Sequence, residues 1–159
     1  ERRPGGDPDA RRAGDVRLFD AVREIIGAQG LHAPVVAAYW PLAGEPDPRA
    51  AIADWHARGW TIALPRVQDR ARPLVFCAWA PGERMADGLM RTREPAECRA
   101  CVPRVLVIPS SDSMRAGIGW LGGGFYDRTL STLADEGRPV LSIGVAHDDA
   151  ESGARAGGP

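Results

Sequence analysis

The chain has 159 residues, 44% apolar and 26% charged, with a formal net charge of −1. That length supports one domain with a real hydrophobic core and excludes two ordinary ones. The near-zero charge excludes a global field that would draw the protein onto nucleic acid or an anionic membrane, so neither is expected as a partner.

Residues 1–14 are rich in Arg, Gly, Pro and Asp without apolar periodicity, and read as a flexible lead-in. From Asp15 the pattern changes: Val16, Phe19, Val22, Ile25 and Ile26 recur at helical spacing, and Gly27 and Gly30 follow as stop signals. Pro34 then opens Val35-Val36-Ala37-Ala38-Tyr39, an apolar run suited to a buried strand. The segment from Pro41 to Pro48 is a loop. Asp47 followed by Pro48 predicts a helix start, with Ile52 and Trp55 turned inward and an end near Gly59. Trp60 to Leu64 reads as the next strand, stopped by Pro65, and Leu74 to Trp79 as another, with a turn at Pro81-Gly82. Val105 to Ile108 is a strongly apolar strand ending at Pro109. A glycine-rich loop from Gly117 to Gly124, a helix from Phe125 to Ala134 and a strand from Pro139 to Val145 complete the series. Residues 151–159 read as a disordered tail. Strands alternate with helices, so the expected class is a three-layer, Rossmann-like α/β domain over residues 15–150. Its sheet is mainly parallel with helices on both faces.

All twenty basic residues are arginine, which excludes a lysine Schiff base, a lysine general base or a phosphate-binding ammonium. The three cysteines are Cys77, Cys98 and Cys101. An odd count without framework spacing argues against a disulfide scaffold. The Cys98-x-x-Cys101 pair has no second pair to complete a zinc site. They read as ordinary thiols in a reducing compartment. No apolar run approaches roughly 18 residues and no leader pattern is visible, so a cytoplasmic, monomeric protein is expected.

The strongest local signal is Gly122-Gly123-Gly124-Phe125-Tyr126-Asp127-Arg128, set between a buried strand and a helix. Consecutive glycines let backbone N–H groups approach an anion, and the helix start adds a favourable dipole for phosphate. A flexible turn explains the same run equally well. Asp127 suits a magnesium ligand beside nucleotide phosphates, or a simple helix-start carboxylate. A second signal, Tyr39-Trp40-Pro41-Leu42-Ala43-Gly44-Glu45, also follows a strand. Glu45 there could orient an amide or formyl group, although a solvated loop carboxylate is the simpler account. His32, His56 and His147 lack metal-ligand spacing, and Asp148-Asp149 reads as an acidic turn.

Several blocks share one order. They are Ala38 to Pro41, Gly44-Glu45, Leu64 to Val67, Pro73 to Phe76, Pro81 to Glu83, Glu94-Pro95, Val107 to Pro109 and Gly122 to Leu130. In order and spacing this resembles the 5-formyltetrahydrofolate cyclo-ligase family, also called methenyltetrahydrofolate synthetase, from about Val16 to His147. The resemblance implies an enzyme of folate one-carbon metabolism. ATP would phosphorylate the formyl oxygen of 5-formyltetrahydrofolate, N10 would attack the activated carbon, and phosphate would leave. It implies Mg2+ and ATP, with a nucleotide loop on Ile118, Gly119, Trp120, Leu121, Gly122, Gly123, Gly124, Phe125 and Tyr126. It places substrate contacts at Trp40, Glu45 and Leu121 to Phe125, and metal at Asp127. Three places depart from the family pattern. Ile118 replaces the phosphate-facing arginine, for which Arg115 is the candidate substitute. The family's N-terminal basic motif would fall before Glu1. Residues 151–155 stand where the family carries an acidic motif. The alternative reading is a non-catalytic relative of the same fold that binds folate or nucleotide.

Overall fold

The computed structural model describes residues 7–42, 44–69, 71–89, 92–109 and 125–146, and the backbone of 153–157. Helix α1 spans Pro8–Ala28, so the first helix begins well inside the expected lead-in. The reason is local. Asp7 caps the helix by accepting from the Asp9 N–H at 3.0 Å, and Pro8 occupies the first turn. Residues 8–13 need no apolar pattern because that turn faces away from the core. Further along, Asp15, Leu18, Phe19, Val22 and Ile26 form the buried stripe, whereas Val16, expected inward, is 52% exposed.

Strand β1 (Val35–Ala37) leads through α2 (Arg49–Ala57) to β2 (Thr61–Arg66), its parallel neighbour. Asp47 does support the start of α2, its Oδ1 accepting from the Arg49 N–H at 3.0 Å. Pro65 does not stop β2. The strand pairs with β1 only as far as Ala63 and continues to Arg66 against β3 (Val75–Trp79), so the missing N–H costs no bond to β1. A two-stranded hairpin follows, β4 (Met85–Asp87) with β5 (Arg93–Pro95), and then β6 (Arg99–Cys101) on the sheet edge. Strand β7 (Val105–Pro109) precedes α3 (Phe125–Asp135) and β8 (Leu141–Ala146). The expected disordered tail contains β9 (Gly153–Gly157), which pairs antiparallel with β8 from Ser142↔Gly157 to Ala146↔Gly153. Its small residues carry weak strand propensity, but backbone hydrogen bonding needs no side chains.

The main sheet has the order β6-β3-β2-β1-β7-β8-β9. Its centre, β2-β1-β7-β8, is parallel, and antiparallel strands flank it on each side. Alternation along the strands builds two cores. Val36, Ile62, Leu64, Val105, Val107, Ile143 and Val145 pack on the face carrying α1 and α2. Ala37, Ala63 and Leu106 pack on the opposite face with Phe125, Tyr126 and Leu133 of α3. Helices therefore cover both faces, as the alternation of elements predicted.

The cysteines depart from expectation. Cys77 on β3 and Cys98 just before β6 form a disulfide, with Cα atoms 4.8 Å apart. Antiparallel pairing sets Cys77 opposite Ala100, which brings Cys98 alongside despite 21 residues of sequence separation. Cys101 is the remaining free thiol, half-buried, and burial pushes its pKa up. Among the described residues no helix is long and apolar enough to cross a membrane.

Candidate functional site

Connections leave β1 and β7 in opposite directions. From β1 the chain crosses through α2 to β2, and from β7 through α3 to β8, while β1 and β7 are themselves hydrogen-bonded neighbours. Such a switch in direction opens a crevice beyond the carboxyl ends of the two strands, where open α/β sheets bind ligands. The loop after β1 carries Tyr39 to Asp47. The segment after β7 leads to α3.

The β1 loop is held rigidly. The buried Tyr39 hydroxyl donates to the Pro46 carbonyl at 2.6 Å. The Leu42 N–H donates to Glu45 Oε1 at 2.8 Å, and the Glu45 N–H returns to the Leu42 carbonyl at 3.1 Å. Gly44, at φ +87, supplies the left-handed residue this tight turn requires. The Asp47 N–H donates to Asp15 Oδ2 at 3.3 Å, fastening the loop to α1.

Glu45 is therefore no solvated carboxylate: it is 8% exposed, and burial raises its pKa against the lowering effect of the Leu42 N–H. Among the described residues nothing donates to its Oε2. Tyr39 and Tyr126 both lie close enough to feel the Glu45 charge, and both hydroxyls are driven above their ordinary range, chiefly by burial. They remain protonated donors across the whole working pH range. One neighbourhood thus joins Glu45 and Tyr39 of the β1 segment to Tyr126 in the first turn of α3.

Trp40 stands beside this group with its ring already engaged. The Arg49 guanidinium sits 5.5 Å above it, and Trp79 meets it edge-on at 5.9 Å. Asp47 fixes that arginine with bonds of 2.9 Å to Nε and 2.7 Å to a terminal nitrogen. In α3, Phe125 is buried beneath the Arg128 guanidinium at 5.1 Å, and Asp127 points to solvent. Thr129 anchors the helix, accepting from the Leu74 N–H at 2.9 Å and donating to the Phe125 carbonyl at 2.6 Å. The other expected ligand residues, Arg115, Ile118, Gly119, Trp120, Leu121, Gly122, Gly123 and Gly124, lie outside the described residues. So do His147, Asp148 and Asp149.

A groove of about 720 Å³ runs between α1, the β1 loop and α2, within the usual range for a small-molecule site. Glu45 lines it; Trp40 and the α3 residues do not. Sequence reasoning missed Asp15 here. Its position four residues before Phe19, on the same helical stripe, was the available signal for a buried carboxylate.

No family model matches the sequence, and no curated protein matches it. The structure is similar to the NMR structure of Aquifex aeolicus 5,10-methenyltetrahydrofolate synthetase, with a TM-score of 0.65 and 20% identity over 92% of this chain and 72% of that one. At that identity the likeness establishes the shared α/β fold.

Proposed function

We propose that this chain is a folate cyclo-ligase: it closes 5-formyltetrahydrofolate to 5,10-methenyltetrahydrofolate, consuming ATP and releasing ADP and phosphate. The observation that carries this reading is Glu45, buried and pre-positioned at the carboxyl end of β1 beside the first turn of α3. The fold likeness to a methenyltetrahydrofolate synthetase supports it.

The chemistry asks little covalent work of the protein. ATP passes its γ-phosphoryl group to the formyl oxygen, N10 attacks the activated carbon and gives up its proton, and the C–O bond to phosphate breaks. Positioning and charge neutralisation would dominate. Glu45 accepts hydrogen bonds from the folate ring system and fixes its orientation. Tyr126 and Tyr39 remain neutral, so they add no charge near the phosphoryl donor. The nucleotide binds through the glycine-rich segment before α3, with the helix start, Arg128 and Arg115 on its phosphates.

Magnesium fits this arrangement in a limited sense. Among the described residues no group of three or more His, Cys, Asp or Glu could hold a metal alone. Asp127 is a single exposed carboxylate in the first turn of α3, which matches an ion carried mainly on phosphates. When bound, the ion would offset phosphate charge.

Titration calorimetry with Glu45→Gln tests the reading. Affinity for 5-formyltetrahydrofolate should fall at least about tenfold, the loss expected for one good hydrogen bond to a charged group. Affinity for MgATP should hold. Equal losses for both ligands would contradict the assignment.

A further inference from the structure

The Cys77–Cys98 bond sits at an edge of the sheet whose loosening the core tolerates. Strand β6 is the edge strand on that side, and its pairing with β3 runs only from Phe76↔Cys101 to Ala78↔Arg99. Strand β3 is held independently by its longer pairing with β2, from Ile62↔Trp79 to Arg66↔Val75. Cys77 is fully buried, where a neutral thiol packs as a small apolar group. Cys98 is half-buried in the link between β5 and β6, so its sulfur is the one a thiol reagent meets first. Opening the bond therefore frees an edge and leaves the core paired.

A short run of contacts connects that edge to Trp40. One terminal nitrogen of Arg99, the residue next to Cys98, reaches both Glu83 carboxylate oxygens, at 3.0 and 2.8 Å. Glu83 Oε2 also accepts from the Ala80 N–H at 3.2 Å, and the Glu83 carbonyl accepts from the Trp79 indole nitrogen at 3.3 Å. Trp79 lies two residues after Cys77, on the same face of β3, and its ring meets Trp40 edge-on at 5.9 Å. The Arg99–Glu83 pair is exposed, and an exposed pair is weak unless its members are held in place. The disulfide supplies that hold by tethering the residue beside Arg99.

We propose that Cys77–Cys98 is a thiol-operated latch on the order of Trp79 and Trp40. A dithiol opens it in two exchanges. The first thiolate attacks the Cys98 sulfur, and the Cys77 sulfur leaves and takes up a proton in its buried place. The second thiolate of the reagent then attacks the mixed disulfide. Cys98 leaves as a thiol and the reagent departs as its cyclic disulfide. Two electrons and two protons pass from reagent to protein. Strand β6 then frays, Arg99 loses its tether, and the turn from Ala80 to Glu83 loosens under Trp79. Cys101 takes no part, because it stands opposite Phe76 and so on the other face of the sheet from Cys77. The effect on a ligand rests on the folate reading above, in which Trp40 contacts the substrate; the effect on Trp79 does not.

The test is amide hydrogen exchange on the whole chain, read by mass spectrometry with and without dithiothreitol. Alkylation of the denatured chain should label Cys101 alone before reduction and all three cysteines after it. Reduction should speed exchange in residues 79–84 and 99–101 about tenfold, the effect of about one hydrogen bond. Exchange in β1, β2, β7 and β8 should not change. Cys98→Ser should show the fast exchange without reagent and no response to it. Glu83→Gln should speed exchange in residues 80–84 with the disulfide still closed. Affinity for 5-formyltetrahydrofolate should be lower in reduced than in oxidised wild type, and indifferent to reagent in Cys98→Ser. Unchanged exchange in residues 79–84 of folded, reduced protein would overturn the latch. Loss of protection throughout the sheet would overturn it too, because the bond would then hold the whole fold. Three labelled cysteines in air-exposed protein before reduction would also overturn it. Equal folate affinity in both redox states would overturn the effect on the ligand. If exchange responds as expected but neither form binds 5-formyltetrahydrofolate, the folate reading fails and the latch stands.

Discussion

The Tyr39 hydroxyl donates to the Pro46 carbonyl at 2.6 Å, inside the core and across the turn that carries Glu45. Tyr39→Phe removes the donor and leaves a buried carbonyl unsatisfied. The expected loss of stability is about 1–3 kcal/mol, read as a shift in denaturant midpoint at constant slope. Because the same bond shapes the Glu45 turn, folate affinity should fall with it. MgATP affinity should not.

Glu45 gives the protein a specific pH signature. Burial raises its pKa in the folded chain, whereas in the unfolded chain it returns to the ordinary carboxyl range. Between those two values the folded state binds more protons, so its contribution to stability falls as pH rises through that window. Lowering the pH from neutral should therefore relieve the penalty, with a slope of at most about 1.4 kcal/mol per pH unit. Glu45→Gln should lack this component. Denaturation curves of both proteins from neutral pH down through the ordinary carboxyl range measure the difference, and identical pH profiles would contradict it.

Much of the fold could be read from residue patterns. The apolar runs at Val35, Val105 and Pro139 are strands because a buried parallel strand needs apolar side chains on both faces. Where the sequence misled, the missing information was tertiary. Val16 has the spacing of a core residue, yet the neighbouring stripe through Asp15 is the buried one. Strand β9 exists through its backbone pairing with β8, which composition cannot reveal. Glu45 was visible as a candidate, but its burial depends on a loop closed by the Tyr39–Pro46 and Asp47–Asp15 hydrogen bonds. The Cys77–Cys98 pairing depends on the register of β3 with β6, and no spacing rule contains that.

That disulfide should contribute measurably. It closes a loop with 21 residues of sequence separation, for which chain entropy gives about 3 kcal/mol. Cys77→Ala/Cys98→Ala, or the wild type in excess reductant, should melt lower by several degrees. Cys101→Ala should keep this reductant-sensitive loss, because the Cys77–Cys98 bond remains in it.

Arg66 on β2 reaches the hairpin, with Nε 3.0 Å from Glu94 Oε1 and a terminal nitrogen donating to the Pro95 carbonyl at 2.9 Å. Both side chains are partly shielded, so a double-mutant cycle over Arg66→Ala and Glu94→Gln should give a coupling of about 1 kcal/mol. A Cβ at Gly88 would collide with the Glu94 carboxylate, so Gly88→Ala should abolish most of that coupling. Undiminished coupling in the Gly88→Ala background would contradict this packing.

Asp127 separates function from folding. It is exposed in the first turn of α3, where its favourable dipole interaction amounts to about 0.3–1 kcal/mol. Asp127→Asn should shift the melting temperature only slightly and lower ATP-dependent turnover at least tenfold. A variant whose main defect is unfolding would make Asp127 a structural helix-start residue.

The proposed turnover at the crevice where the β1 loop meets α3 can be read in one assay. Purified protein is mixed with 5-formyltetrahydrofolate and MgATP, and the absorbance of 5,10-methenyltetrahydrofolate is followed together with phosphate release. Methenyltetrahydrofolate and phosphate should appear in equal amounts, dependent on ATP and magnesium and strongly reduced in Glu45→Gln. Absence of methenyltetrahydrofolate formation by folded protein that binds both ligands would contradict it.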